Sequence, residues 1–331
     1  MKWLKNKGEK KTEQEKVAER REEVLAVGRK FKYPLQWTKH RVVINTVLIS
    51  VVAVAMVFIS IWLALYRFNL TGDLLFRITK IIPVSVASID SEKVNFSDYL
   101  MFYRSSITSI KSQSTIEGET LSNLENEYKR VALDEAEEYA YALKLANELG
   151  VTVSEEEIDA EFERHLKIGG IDRSEESFIK IVKDNFGLSK SEYRRMLYLT
   201  LVKAKVEVMI DEKANTIANK VEQMLAENGN NFKAVLESLG EEISYEETGG
   251  LVDNKNLDGG RATEATKLEA GEVSERFIST NGDGYYFVKL VSKTDTEVDF
   301  VSIKVSFTEF SERVAKLREE EKVVEFIEVG E

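Results

Sequence analysis

Apolar and polar positions follow three different patterns along this chain, and each predicts a different kind of element. From Val42 to Tyr66 no charge interrupts the run VVINTVLISVVAVAMVFISIWLALY. At 1.5 Å per residue these twenty-five residues make a helix of roughly 37 Å, against a hydrocarbon layer of about 30 Å. A buried core helix of that length would carry a polar face, so the run predicts a tilted membrane span. Asn45, Thr46, Ser50 and Ser60 are compatible with it, because short polar side chains bond to the helix backbone or to a neighbour.

On both sides of the span the period is helical. Residues 8–32 mix charges at helical spacing and predict a solvated or membrane-edge helix. After the span, FNLTGDLLFRITKII predicts a helix along the outer leaflet, with Leu74, Leu75, Ile78, Ile81 and Ile82 on one face and Pro83 at its end. VASIDSEKVNFSDYL reads as a strand, a turn and a helix capped by Ser97. From there to about 211 helices dominate. Residues 119–148 place Leu133, Ala136, Tyr139, Leu143 and Ala146 three and four apart, and Gly150 supplies a left-handed stop. Ser154 with Glu157, and Ser189 with Glu192, are capping boxes. Between them lies a helix with Phe178, Ile181 and Val182 facing inward, ended by Gly187.

After about 240 the period falls to two. ISYEE, FIS, GYYFVKLVS and VDFVSIKVSF alternate between turn residues, and Asn281-Gly282-Asp283-Gly284 marks a tight hairpin. A last helix from about Thr308 aligns Phe310, Val314, Leu317 and Val324. The pattern is therefore α+β, divided by period into a tail at 1–41, the span at 42–66, a juxtamembrane segment at 67–83, a helical region at 84–211 and a sheet-containing region at 212–331.

Charge gives this layout a direction. Residues 1–41 hold thirteen Lys and Arg against six Glu, while the whole chain carries a net charge of −12. Basic residues flanking a span hold their end in the cytoplasm, which predicts an uncleaved anchor with the acidic bulk outside. Tyr33 and Trp37 on one side, with Trp62 and Tyr66 on the other, suit the two aromatic belts of a bilayer. Nucleic acid is excluded as a partner because an acidic outer region lacks the basic cluster that phosphates require. No cysteine is present, so disulfides and thiolate chemistry are excluded. The two histidines, His40 and His165, exclude a multi-histidine metal site, and His165 among Glu161, Glu163, Arg164 and Lys167 reads as a solvated face. Asp253, Asn254, Asn256 and Asp258 approach a calcium loop, but Lys255 and Leu257 occupy ligand positions. No metal or cofactor is expected.

Several strings together resemble the SurA/PrsA class of extracytoplasmic foldases, in which a helical chaperone domain accompanies a parvulin-type prolyl isomerase domain. VASIDSEKVNFSDYL resembles the opening segment of that class. Gly150 to Ile158 resembles the joint of its helical hairpin, and FIKIVKDNFGLSKSEYRRMLYLTLVKAKV resembles its closing helices. NNFKAVLESLG, Gly249-Gly250-Leu251 and KLEAGEVSERFISTNGDGYYFVKLVSK resemble parvulin elements, and the likeness spans roughly residues 84–293. The parvulin histidines are absent: Tyr286 stands where the last-strand histidine would be, and no first strand precedes the helix at 212–228. VDFVSIKVSF, after the short turn KTDTE, is expected to pair antiparallel with 285–292 and fill the vacant slot.

The resemblance implies three readings. One is a membrane-tethered chaperone for unfolded or newly exported polypeptides, binding them in apolar grooves between the helical and parvulin-like regions, with weak or no isomerase activity. The others are an active prolyl isomerase and a non-catalytic envelope scaffold. The candidate substrate-binding residues are Leu257, Phe277 and Tyr286, the first two as survivors of the apolar lip, together with Met101, Phe102 and Tyr103. Tyr286 is the one candidate catalytic position, and the span at 42–66 is the contact with membrane lipid. Prolyl isomerisation needs only a pocket that desolvates and twists the imide, so the missing histidines weaken that reading without removing it.

Overall fold

A computed structural model describes residues 12–113 and 118–330, and the chain divides into two units, Met1–Ala64 and Leu65–Glu331. The first unit is dominated by one helix, α1 (Glu13–Trp62). The sequence pattern separates a tail helix from the span, yet α1 is continuous through Pro34. Proline removes a single N–H from the backbone ladder, and helix-forming sequence on both sides carries α1 past it. Residues 8–11 of the expected tail helix, and the side chains of Tyr33 and Trp37, lie outside the described residues. The run from Arg41 to Arg67 is long and apolar enough to cross a membrane, and it stays exposed up to Ser60, whereas Leu65 near its end is buried. Thr46, Ser50 and Ser60 each donate their hydroxyl to the carbonyl four residues earlier, at 2.8–2.9 Å, so these three hydroxyls are bonded within the helix.

The second unit is mixed α+β and opens with the last residues of a π-helical turn, Leu63–Arg67. Tyr66, expected in an aromatic belt, donates its hydroxyl to Ser85 O at 2.8 Å and stands edge-on to Phe96. Helix α2 (Asp73–Ile81) buries Phe76 and Thr79, and the Arg104 guanidinium lies 4.4 Å over the Phe76 ring. Leu75 and Ile78 are half-buried on that inner side, whereas Leu74 and Ile81 are 72% and 81% exposed. The expected single apolar face is therefore split between core and surface.

Strands β1 (Ser85–Ile89) and β2 (Glu92–Asn95) form a hairpin whose turn residues, Asp90 and Ser91, both have positive φ. Helix α3 (Phe96–Gln113) starts one residue before Ser97, which therefore sits in the first turn instead of capping it. Helices α4 (Gly118–Leu149), α5 (Glu155–Leu166), α6 (Glu175–Phe186) and α7 (Lys190–Ile210) follow. Ser154 and Ser189 cap α5 and α7 through boxes with Glu157 and Glu192, and Gly187 ends α6 in the left-handed conformation. In α6, Val182 is buried and Phe178 half-buried, while Ile181 is exposed.

Helices α8 (Glu212–Glu227) and α9 (Phe232–Leu239), strands β3 (Ser244–Glu247) and β4 (Val252–Asp253), α10 (Arg261–Thr266), and strands β5 (Phe277–Ile278), β6 (Gly284–Lys293) and β7 (Glu297–Ser306) build the sheet region. The strand order is β3-β7-β6-β5, with β4 also paired to β7. Strands β6 and β7 are antiparallel, with Tyr285 opposite Val305 and Phe287 opposite Ile303, as the alternating pattern implies. Gly284 is required there, because a Cβ would collide with Val305 O. One sheet face buries Tyr285, Phe287, Ile303 and Val305 against α8 and α9; the other buries Val288, Leu290, Val298 and Phe300 against α10.

The end of the chain returns to the helices. Helix α11 (Glu309–Glu319) sets Phe310 against Tyr141, and β8 (Val323–Glu325) pairs with β1 to give the order β2-β1-β8. Residues 309–325, grouped by period with the sheet, thus pack on the helical half. Arg318 of α11 reaches Glu137 at 3.0 Å and Asp134 at 2.8 Å. Glu137 is fully buried, and burial pushes its carboxyl up to about 7 against the pull of Arg318. Asp211, 2% exposed, joins the halves: one oxygen accepts from Ala214 N at 2.8 Å, the other from Thr308 N at 2.7 Å and Glu309 N at 3.1 Å. Asp211→Ala leaves one buried and two half-buried donors unmet, and is expected to cost about 2 kcal/mol in chemical unfolding.

Candidate functional site

A cleft of about 770 Å³ opens between the helical half and the sheet half of the second unit. Its volume falls in the range of about 300–1,000 Å³ common for small-ligand sites, so it can take a short segment but not a folded domain. One wall comes from α5, the turn at 167–170 and α7, which contributes Met196, Leu197, Thr200 and Leu201. The other comes from the loop before α10 and from β5, with Leu257, Phe277 and Ile278. Leu257 is 70% exposed and Ile278 43%, a large apolar surface to leave in water beside a concavity.

Glycines set how closely the walls approach. Gly170 has φ +68°, and a Cβ there would overlap the aliphatic stem of Lys255 from the opposite wall. The helical and sheet walls therefore meet at Gly170 and Lys255. Beyond that point Gly259 N-terminally precedes α10 with its carbonyl accepting from Thr280 N at 3.0 Å, which ties the loop to the hairpin after β5. Asp253 accepts from Lys255 N at 2.8 Å and Asp258 caps α10 through Ala262 N. The acidic residues of the calcium-like stretch are thus used to fold this loop. Among the described residues no cluster of three metal-ligating side chains occurs.

The polar part of the helical wall is a half-buried network. Glu161 accepts from Arg164 Nε at 2.9 Å and lies 3.0 Å from His165 Nε2, and His165 Nδ1 is hydrogen-bonded to the Tyr193 hydroxyl. His165, read from sequence as part of a solvated face, is instead part of the cleft wall; its ring is held by residues one turn before it and on α7. Burial pushes the Glu161 carboxyl up, but the bonds from Arg164 and His165 outweigh it and hold it at about 2. Phe162, Phe178 and Tyr193 pack edge to face behind this network, with centroids 5.4–6.1 Å apart.

Of the residues singled out from sequence, Leu257 and Phe277 come together in the cleft. Tyr286 lies behind them: it pairs with Phe277 across β5 and β6 and stacks on it at 6.0 Å. Its hydroxyl donates to Asp283 at 3.1 Å, and Asp283 pairs with Lys304 at 2.5 Å. Arg261 and Lys304 stand 5.5 and 5.7 Å from the ring centroid. Burial, then the neighbouring Asp283, pushes the Tyr286 hydroxyl up, so it stays protonated. Tyr286 does not line the cleft, and its one proton is committed to a carboxylate. Met101, Phe102 and Tyr103 are buried core residues of α3, with Phe102 stacked on Tyr139 at 5.2 Å, and take no part in a groove.

Sequence reasoning missed Met196, Leu201 and Ile278. A signal was present, since Tyr193, Met196, Leu197, Leu199, Leu201 and Val202 spread apolar character around more than one face of α7. No protein-family model matches this chain, and no curated protein matches it.

Glu161 links the wall to pH. Its folded value lies below the ordinary 4.5, so its contribution to stability is complete above that value and is lost as pH falls from 4.5 through about 2. Thermal unfolding of wild type and Glu161→Gln is expected to show wild type ahead at pH 6, with its advantage vanishing by about pH 2.

Proposed function

We propose that this chain is a membrane-tethered chaperone that holds short apolar segments of unfolded, newly exported polypeptides in the cleft between its helical and sheet halves. The observation that carries this reading is the exposed apolar lining, Leu257 and Ile278 facing α7 across a space of about 770 Å³. Unfolded chains differ from folded ones in displaying apolar side chains, and burying one such side chain is worth about 1.5–3 kcal/mol. That suits weak and reversible holding.

In this proposal the apolar stretch of α1 lies in the membrane, the basic tail stays in the cytoplasm and the second unit works outside. The exposed apolar helix surface and the basic residues before it support that placement. The likeness of residues 84–293 to the SurA/PrsA foldases supports the same activity.

The position of Tyr286 argues against the isomerase reading. A proline pocket must be apolar and open to the substrate, whereas this side chain is enclosed by Phe277, Arg261 and Lys304 and bonded to Asp283. The full chain in detergent micelles should suppress aggregation of a chemically unfolded client without accelerating its proline-limited refolding phase. Leu257→Asp, at an exposed site, should leave thermal stability unchanged and raise the concentration needed for half-suppression about fivefold. Acceleration of the slow phase by wild type would establish the isomerase instead. Tight binding to one folded protein with no effect on unfolded ones would establish a scaffold.

A further inference from the structure

The sheet half ends, on the side of the cleft, in an edge strand of two residues. Strand β5 pairs with β6 through Phe277 opposite Tyr286 and Ile278 opposite Tyr285. The next residue, Ser279, donates its N–H to Gly284 O at 3.3 Å, which fixes the alternation of the ladder. Phe277 therefore exchanges its backbone bonds with Tyr286, and the N–H and C=O of Ile278 point away from the sheet. Two residues further on, the outward N–H of Thr280 is already taken by Gly259 O at 3.0 Å. Ile278 thus presents a donor and an acceptor at strand spacing on the rim of an apolar cleft.

Protein edges of this kind are usually blunted by charge, proline or a covering segment. Here the two strand side chains, Phe277 and the half-exposed Ile278, and Leu257 nearby are uncharged, and Arg276 just before them is turned to Asn215 and Asn219 of α8. We infer that the cleft takes its polypeptide in extended form, as an added strand hydrogen-bonded to the main chain of Ile278, with alternate side chains directed at Leu257 and at α7. This rests on the cleft being the polypeptide site proposed above and specifies how the segment is read.

The consequence is a selectivity that ignores sequence. Every polypeptide carries the same backbone donors and acceptors, and a folded one has already used them. Main-chain pairing supplies affinity common to all clients, while the apolar walls add the requirement for alternate hydrophobic residues. A helix or a folded surface offers neither. Gly259, bonded to Thr280, closes one end of the edge and limits the paired segment to a few residues.

The test uses the full chain in detergent micelles and a fluorescent peptide of roughly six residues alternating Val or Leu with Thr, alongside the same peptide N-methylated at every residue. Ile278→Pro removes the outward N–H and no ladder bond, and proline is tolerated at such edge positions, so its thermal stability should match wild type. The parent peptide is expected to bind wild type about tenfold more tightly than the methylated one, and about tenfold more tightly than it binds Ile278→Pro. Methylation removes the bond that Ile278 C=O accepts and Ile278→Pro the bond that its N–H donates, so the methylated peptide should bind Ile278→Pro more weakly than either change alone produces. Equal binding of parent and methylated peptide by wild type, with Leu257→Asp still weakening it, would overturn the added strand while leaving the cleft as the site. Failure of the parent peptide to bind wild type, or indifference to Leu257→Asp, would overturn the cleft itself. If wild type dimerises at these concentrations and Ile278→Pro abolishes the dimer, the edge serves a second copy and the inference falls.

Discussion

One buried carboxylate holds the second unit together. Asp211 ends α7, caps α8 through Ala214 and accepts from Thr308 and Glu309 at the start of α11. The first turn of any helix leaves donors without partners, and in α8 and α11 some of those donors point at the same side chain. The helical half, the sheet half and the returning C-terminal segment all leave from this point. Asp211 thus ties the starts of α8 and α11 together, while the closeness of the cleft walls is set where Gly170 meets Lys255.

Helix α7 is the other shared element. It packs against α4, α5 and α11, and its Ala204 lies against the hairpin after β5 at Gly282. The same helix thus gives one face to the helical core and another to the cleft. At the far end, α11 and β8 fasten the chain back onto α4 and β1 through Arg318, Arg130 and the β1–β8 ladder. With both ends of the sheet half tied to the helices, the cleft is a fixed feature between two anchored walls.

Much of this was legible locally. Capping boxes at Ser154 and Ser189, the stop at Gly187 and the β6–β7 pairing depend on neighbours in sequence, and the pattern exposes them directly. The apolar run of α1 is equally plain. Relations between distant segments were not legible. Met101, Phe102 and Tyr103 are as apolar as groove residues, and only their packing on α4 makes them core. His165 sits among charges in sequence but is turned into the wall by Tyr193, twenty-eight residues away. Helix α11 has an ordinary amphipathic pattern, which carries no mark of the helix it will pack on. Leu257 and Phe277 were found through the resemblance to parvulins, as survivors of the apolar lip; Ile278 was hidden because its contribution is its backbone.

The decisive property of the protein is where it holds an unfolded chain. Replacing Leu257 with a photo-reactive benzoylphenylalanine in the full-length protein, and irradiating it in membranes with an unfolded client, tests this directly. The client should become crosslinked from position 257, only while unfolded, and not from the same probe replacing Lys220 on the exposed side of α8. Equal labelling from both positions, or labelling of the folded client alone, would contradict the cleft as the holding site.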